Sequence, residues 1–319
     1  MRSFTVPAAG ARVGVLGVLA VAASLGLAAC ASGSPGTAGS GTAAAGTVAV
    51  VASTNVYGDL AKAVGGDRVS VTSIVSKTSQ DPHSYEATSQ DRLAVSKAKL
   101  VIENGGGYDP FLSTLAGESR LGDSAIITAV QVAGLEPAGT PSGGHSAYNE
   151  HVWYDLAAME KVTATIADRL GALDPGGKAA YDANAKDVEA RLTALEDKVA
   201  ALKGRAAGKK AAVTEPVPLY LLEAAGLTNA TPAAFTSAIE EGQDVPPAVF
   251  KETLDLVTSK TVALLAYNPQ TQGAQTEQLR KAAESAGVPV AEFTETVPPG
   301  TDYLAWMQAN VDALAKALP

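Results

Sequence analysis

The chain has 319 residues, of which 46% are hydrophobic and 18% are charged, a composition typical of a folded globular protein and not of a disordered one. This length is enough for two domains of ordinary size. The net charge of −9 and the pI near 4.9 argue against nucleic acid as a partner, because no basic patch stands out that could neutralise phosphates.

The N-terminal segment predicts an exported lipoprotein. Arg2 and Arg12 precede an apolar run over 13–29, and that run leads into Leu-Ala-Ala-Cys. A positive start, an apolar centre and small residues before a cleavage point are typical of a secretory signal peptide. The Leu-Ala-Ala-Cys sequence is similar to the bacterial lipobox, whose cysteine carries a lipid. We therefore expect a signal peptide over 1–29 and lipidation of Cys30, the only cysteine in the sequence. The alternative is an ordinary signal peptide followed by an incidental cysteine.

Residues 30–46 are predicted to form a lipid-anchored, flexible tether. After Cys30 the segment holds only Ala, Ser, Gly, Thr and one Pro, with no charge. A chain of this kind has a mean reach of roughly 20–25 Å, from about 5–6 Å times the square root of its length. We expect the folded body to stand clear of the cell membrane, on its extracytoplasmic face.

Strands that alternate with helices predict a first lobe over 47–175. A β-branched run at 47–53 reads as a buried strand, and apolar residues spaced four apart then predict a helix over 55–64. Further strands are predicted at 68–75, 100–103 and 125–128, with helical patterns at 88–98 and 156–173. This rhythm indicates βαβ units and a mainly parallel sheet. In such sheets, ligands bind beyond the carboxyl ends of the strands.

A long helical pattern separates this lobe from a second one. Apolar residues recur at spacings of three and four from Lys178 to about Gly204, which predicts a helix about 40 Å long at 1.5 Å per residue. We assign 176–206 to this linking helix and 207–319 to a second lobe, in which strands are again predicted to alternate with helices. The predicted fold is α/β, with two lobes joined by one long backbone helix, each lobe a mainly parallel sheet flanked by helices.

Two histidines occur in similar polar settings. His151 lies in Asn-Glu-His-Val-Trp-Tyr-Asp at 149–155, at a predicted helix entrance. A neutral imidazole is a good ligand for zinc, copper, iron or nickel, and it needs a partner that fixes its tautomer. We expect Asp155 to be that partner. The alternative is a histidine that is merely hydrogen-bonded at the end of a loop.

His83 lies in Asp-Pro-His-Ser-Tyr-Glu at 81–86, in the loop after a predicted strand. Two such settings, in a chain with only three histidines, suggest two halves of one metal site. His145, the third histidine, falls in an irregular loop over 136–148. We expect it to be solvated, with transient collection of metal as the alternative.

Two glutamates complement the histidines. Glu215 and Glu295 each follow a predicted strand of the second lobe. A buried anion is costly unless it is paired or coordinates a cation. Either residue alone could instead cap a helix or be exposed. Together with the histidines they would supply two nitrogens and two carboxylates.

The chain resembles the zinc- and manganese-binding solute-binding lipoproteins of bacterial metal ABC transporters. The resemblance covers residues 48–318 and depends on the two histidine motifs together with Val-Thr-Glu at 213–215, Phe-Thr-Glu-Thr at 293–296 and Thr-Asp-Tyr-Leu-Ala-Trp-Met at 301–307. It implies that one metal ion is held between two lobes that a rigid helix connects.

Carried over by motif, the ligands of this ion would be His83, His151, Glu215 and Glu295. The family commonly has aspartate at the fourth position, and Glu292 and Asp302 are nearby alternatives there. The long histidine-rich loop of many zinc-specific members is absent from this sequence.

The resemblance implies a monomeric, non-enzymatic protein that binds one divalent ion, Mn²⁺ or Zn²⁺, and delivers it to an ABC transporter permease for import. A glutamate in place of a third histidine slightly favours manganese. One alternative is a secreted zinc metallohydrolase, although no His-Glu-x-x-His motif is present. The other is a solute-binding protein for an organic ligand, in which both histidines are structural.

Overall fold

Two parallel four-stranded sheets with helices packed around them make up the described chain, which in this computed structural model comprises residues 46–136 and 148–318. The predicted signal peptide, the lipidation site at Cys30, nearly all of the tether and His145 lie outside these residues. None of the helices within the two described segments combines the length and the apolarity needed to cross a bilayer.

The first sheet has the strand order β2-β1-β3-β4, and all its pairs are parallel. Its strands are β1 (Val48–Thr54), β2 (Val69–Val75), β3 (Leu100–Glu103) and β4 (Ile126–Thr128). The central strands β1 and β3 consist mainly of aliphatic residues and are buried over nearly their whole length, as expected for strands covered by helices on both faces.

The second sheet has the same arrangement, with the order β6-β5-β7-β8 and parallel pairs throughout. Its strands are β5 (Lys210–Val213), β6 (Thr228–Asn229), β7 (Leu264–Tyr267) and β8 (Val290–Glu292). The two sheets confirm the predicted fold class, and they share one order of connection although no sequence repeat relates them.

Helices follow almost every strand. The first five are α1 (Asn55–Gly65), α2 (Ser89–Lys97), α3 (Pro110–Glu118), α4 (Ala129–Ala133) and α5 (Leu156–Leu173). The chain then forms the long α6 (Lys178–Ala201) and the short α7 (Lys203–Ala206). The remaining helices are α8 (Leu219–Ala224), α9 (Ala233–Glu240), α10 (Pro247–Thr258), α11 (Ala274–Ala286) and α12 (Tyr303–Ala317).

The long helix α6 contacts both halves of the molecule. Its 24 residues span about 36 Å at 1.5 Å per residue. Its buried residues recur at intervals of three, four and seven: Tyr181, Ala185, Val188, Leu192, Leu195 and Val199. This stripe packs on α1 and α5 on one side and on α8 and α12 on the other. The C-terminal helix α12 also contacts α1, which adds a second helical contact between the two halves.

A single hydrophobic core continues from one sheet to the other. It includes Val50 of β1, Ile166 of α5, Leu192 of α6, Val213 of β5 and Met307 of α12. The outer face of each sheet has a smaller core of its own. The side chain of Asn55 adds a polar connection, since its Nδ2 donates to the carbonyl oxygen of Val297 at 2.8 Å and its Oδ1 accepts from the Val297 amide at 3.0 Å.

Candidate metal centre

The first histidine is held in a tight turn between β2 and α2. The carboxylate of Asp81 accepts the backbone amide of His83 at 2.9 Å and the hydroxyl of Ser84 at 2.7 Å. The half-buried imidazole of His83 meets the ring of Tyr108 edge-on, with 4.9 Å between the ring centroids. Backbone and aromatic contacts therefore fix the direction of this side chain.

The second histidine is almost completely buried, and its partner is not the predicted one. Asn149 Oδ1 lies 2.6 Å from Nδ1 of His151, while Asp155 caps helix α5 by accepting the amide of Ala158 at 3.1 Å. Asn149 Nδ2 donates to the carbonyl oxygen of Pro216 at 2.9 Å, which fixes the orientation of the amide. Nδ1 of His151 therefore carries the proton, and Nε2 keeps the lone pair that a metal requires.

The surroundings of His151 keep it neutral. Burial lowers the pKa of His151 well below its ordinary value, and the nearby His83 lowers it further. Aromatic rings enclose the imidazole, with the Trp153 centroid at 5.2 Å and the Tyr108 centroid at 6.0 Å. A buried, neutral imidazole of this kind can bind a metal without first losing a proton.

One side-chain amide holds the two glutamates of the second sheet together. Asn268, directly after β7, donates from Nδ2 to Glu215 Oε2 at 2.7 Å and to Glu295 Oε1 at 2.8 Å. The hydroxyl of Thr271 also donates to Glu215 Oε2. Both acids lie at the carboxyl ends of parallel strands, as predicted, and both are buried.

The other carboxylate oxygen of Glu295, Oε2, could serve as a metal ligand. Glu295 Oε2 is buried, and it has no hydrogen-bond partner within residues 46–136 and 148–318. Burial, and then the neighbouring Glu215, raise the pKa of Glu295 well above its ordinary value. Burial also raises the pKa of Glu215 to about 7. Neither carboxylate forms a salt bridge with another described residue, and two buried carboxylates of this kind favour a bound cation.

The structure brings three of the four predicted ligands within reach of one ion. Ligand atoms of His83, His151 and Glu295 lie within 4.8 Å of one another. Two ligands at about 2.1 Å from a common ion are about 3–4 Å apart, so small side-chain shifts would complete the coordination. Glu215 is not part of this group but is tied to Glu295 through Asn268.

The alternatives to Glu295 have other roles. Glu292 is exposed on β8, and Asp302 caps helix α12 by accepting the amide of Ala305 at 2.8 Å. The structure shows a second group as well, in which His83, Glu150 and Glu240 bring ligand atoms within 4.8 Å of one another. Neither Glu150 nor Glu240 was predicted as a ligand from the sequence.

A cavity of about 1050 Å³ leads from the surface to this region. Asp81 and His83 line it on one side, and Glu240, Glu241 and Thr271 line it on the other. His151 and Glu295 are 1% and 3% exposed, so His83 is the most accessible of the three grouped ligands.

Comparison with known families gives one match over almost the whole described chain. The model for the periplasmic zinc-uptake complex component A, ZnuA, matches residues 50–317. The manganese ABC transporter substrate-binding lipoprotein scaA of Streptococcus gordonii is 28% identical over 318 residues, which cover 94% of this chain and 97% of that protein. The iron ABC transporter substrate-binding lipoprotein MtsA of Streptococcus pyogenes serotype M1 is 28% identical over 301 residues, covering 88% and 92%.

Solved structures share the fold. A crystal structure of ZnuA aligns with a TM-score of 0.70 at 22% identity, covering 86% of this chain and 100% of that one. The periplasmic zinc binding protein TroA from Treponema pallidum aligns with a TM-score of 0.69 at 18% identity, covering 86% and 99%. The relatives are named for different metals, so their names alone do not select an ion.

Proposed function

The chain belongs to the family of the periplasmic zinc-uptake component A, and from that membership we propose that it captures one divalent transition-metal ion between its lobes and delivers it to an ABC transporter permease. It is a substrate-binding protein and not an enzyme. Family membership therefore argues against the metallohydrolase hypothesis. The organic-ligand hypothesis required both histidines to be structural, but His83 and His151 belong to one group of potential metal ligands.

We assign the ion to His83, His151, Glu215 and Glu295. The observation that carries this assignment is the buried Glu295 Oε2, without a hydrogen-bond partner in the described chain and grouped with the two imidazoles. Glu215 would join through a small movement that keeps the Asn268 hydrogen bond. The site lies between a first lobe over 47–175 and a second over 207–319, with 176–206 as the linking helix.

Manganese and zinc are the proposed ions. Two imidazoles and two carboxylates accept manganese, zinc or iron, and Glu215 in place of a third imidazole favours manganese. Zinc binds more tightly than manganese at most sites of nitrogen and oxygen ligands. Tight zinc binding in vitro therefore does not identify the transported ion. Metal content after expression in the native host is the first measurement, and a finding of zinc there calls for an uptake assay, because zinc can replace manganese.

The direct test is metal stoichiometry in single variants. Glu295→Gln keeps the size of the side chain and removes the negative charge, so we expect occupancy near one equivalent in the wild type and near zero in the variant. Glu292→Gln, an exposed acid three residues earlier, is the matched control and should keep full occupancy. Full occupancy of Glu295→Gln, or of a His83→Ala, His151→Ala double variant, would overturn the assignment.

We further propose that the protein acts as a monomer anchored through a lipid on Cys30 at the extracytoplasmic face of the cell membrane. The lipobox-like sequence supports this, as do relatives that are named lipoproteins. Cys30→Ser should release the protein from the membrane fraction into the soluble fraction. Retention of the variant in the membrane fraction would contradict the anchor.

A further inference from the structure

We propose that His83, Glu150 and Glu240 form a second, outer metal position, through which a divalent ion passes before it reaches His151 and Glu295. The proposal rests on the proposed function, since it concerns the path of the same ion. It assigns a role to two acids that the metal centre itself does not use.

The geometry of the outer group matches that of the inner one. Ligand atoms of His83, Glu150 and Glu240 lie within 4.8 Å of one another, the same limit that describes His83, His151 and Glu295. The three residues come from separate parts of the chain: the turn after β2, the segment before α5 and the end of α9. The folded structure, and not local sequence, therefore brings one imidazole and two carboxylates together.

Burial gives the group a ligand-like character. Glu150 is 6% exposed, and Glu240 is half-buried. Oε1 of Glu240 is buried, and within the described segments it has no hydrogen-bond partner. A carboxylate oxygen withdrawn from water without a donor is costly unless a cation binds it.

Two of the three outer residues are more exposed than His151 and Glu295, while the third, Glu150, is buried beside them. His83 and Glu240 line the cavity of about 1050 Å³, whereas His151 and Glu295 are 1% and 3% exposed. A hydrated ion reaches His83 and Glu240 while it still holds most of its water. The outer oxygens can then replace part of that water before the ion enters the buried site, which divides one large desolvation step into two smaller ones.

The shared residue provides the transfer mechanism. His83 belongs to both groups, so it can stay bound while the ion exchanges Glu150 and Glu240 for His151 and Glu295. The reverse exchange releases the ion. A transit position of this kind lowers the barrier in both directions, so it changes the rates of binding and release without changing the equilibrium affinity.

The experiment measures both rates on the full-length protein by stopped-flow tryptophan fluorescence, with Mn²⁺ and then Zn²⁺ as the probe. Trp153 supplies the signal, because its ring packs 5.2 Å from that of His151. For Glu240→Gln we expect association and dissociation to slow together, by about tenfold or more, with the dissociation constant within a factor of two. We expect the same change in both rates for Glu150→Gln. The Glu150→Gln, Glu240→Gln double variant should bind and release the metal no more slowly than the slower of the two single variants.

Glu241→Gln is the matched control. Glu241 is exposed, adjacent in sequence and lines the same cavity, so its substitution removes the same charge without touching the outer group. Measurements at about 0.5 M salt screen general attraction of cations, since the Debye length is then only a few ångströms. Under these conditions Glu241→Gln should keep wild-type rates.

Two results would overturn the transit position. Equal rates for Glu240→Gln and Glu241→Gln would mean that the outer group does not bind the ion on its path. Faster release with lost affinity in Glu240→Gln would make Glu240 a ligand of the final site. Failure of the wild type to bind either metal is a different result, because it would refute the proposed function itself.

Discussion

Asn149 links His151, a proposed metal ligand in one lobe, to the backbone of the other lobe. Its Oδ1 accepts from Nδ1 of His151, and its Nδ2 donates to the carbonyl of Pro216, the residue after Glu215. One amide therefore fixes the tautomer of one proposed ligand and restrains the loop of another. Partners of this kind orient ligands and commonly affect metal affinity by 10–100-fold, as an order of magnitude.

We predict that Asn149→Ala lowers metal affinity by roughly 10–100-fold, because His151 loses the acceptor that leaves Nε2 free for the metal. Isothermal titration calorimetry with Mn²⁺ and Zn²⁺ measures the change. Asn184→Ala is the control, since the Asn184 amide also donates to a backbone carbonyl, that of Val64 at 2.9 Å, but lies on the linking helix. Equal affinities in the two variants would contradict the role of Asn149.

A buried glutamate away from the proposed ligands makes stability depend on pH. Ser113 and Thr128 donate to the carboxylate of Glu103 at 2.6 and 2.8 Å. Burial, and then the nearby Asp109, nevertheless raise the pKa of Glu103 to about 7. The folded state thus binds this proton more tightly than the unfolded state, in which the pKa is about 4.3. Stability is therefore highest at low pH in this window and falls as the pH rises from about 4.3 to 7.

We predict that Glu103→Gln reduces the loss of unfolding free energy between pH 5 and pH 8 by on the order of 2 kcal/mol, because the neutral amide needs no proton. The amide can accept from one hydroxyl and donate to the other. Urea unfolding of the metal-free protein at both pH values gives the difference. Glu252→Gln, at an exposed site on α10, should leave the wild-type pH dependence unchanged.

Individual site residues were predictable where strand ends determine position. Glu215 and Glu295 follow buried strands, and parallel strands of one sheet end at the same edge, so the sequence predicts that they meet. The Asn268 contact was missed because its hydrogen bond to Glu215 joins residues 53 positions apart. The Asn149 contact was missed because Asp155 was predicted as the partner of His151. Asn268 also follows a buried strand, so its position at the end of that strand could have identified it in the same way as Glu215 and Glu295. Asp155 was the wrong partner for His151 because a helix start competes for that carboxylate.

At the level of elements, a run of three glycines shapes the turn after β3. Gly105, Gly106 and Gly107 all have positive φ, at 80°, 69° and 87°. The carboxylate of Asp109 closes this turn by accepting the amides of Asn104 at 2.6 Å and Gly105 at 2.9 Å. The turn ends at Tyr108, whose ring contacts His83 and His151. The conformation of the turn therefore affects the position of these two proposed ligands.

Gly105→Ala should cost more stability than Gly134→Ala. Both positions have φ near 80°, but a Cβ at Gly105 would lie 2.5 Å from Thr128 Cγ2, whereas nothing lies within 4 Å at Gly134. The backbone strain of about 1–2 kcal/mol is common to both, and only Gly105→Ala adds a collision. Thermal unfolding of the two variants isolates this difference. Equal melting temperatures would show that β4 moves to accommodate the new Cβ without loss of stability.

The sequence predicted most elements but not the short ones. Helices with sustained periodicity, such as α5 and α6, begin and end within a few residues of the predicted bounds. The two-residue strand β6 and the five-residue helix α4 are too short for periodicity to detect. The helices α3 and α9 were not predicted either. Helix α3 begins at Pro110 and α9 begins directly after Pro232, in keeping with the tolerance for proline at or just before a helix start.

On the scale of the whole molecule, the shared core limits movement between the lobes. The linking helix, the C-terminal helix and the paired hydrogen bonds of Asn55 all connect the two sheets. Tyr154 and Tyr303 add hydrogen bonds across the same region, to Thr294 at 2.8 Å and Trp153 at 2.7 Å. Closure around an ion would have to disrupt a packed interior.

We therefore predict that metal binding changes the radius of gyration of residues 46–319 by less than about 0.5 Å, against about 19 Å expected for a body of this size. Small-angle scattering of metal-free and metal-loaded protein gives this difference. A decrease of more than about 1 Å would instead indicate closure about a hinge, as other two-lobe binding proteins undergo.

The continuous hydrophobic core also determines how fragments of the chain would behave if the backbone were cut between the lobes. A cut near Gly208, in the exposed turn between α7 and β5, would separate the two sheets at a point where the backbone tolerates it. Each fragment would then present its half of the common core to water, so neither should remain soluble alone. When the fragments are co-expressed, they should reassemble through that surface. If the proposed metal ion binds between them, it should stabilise the reassembled complex, so the two fragments could serve as a reporter of metal binding.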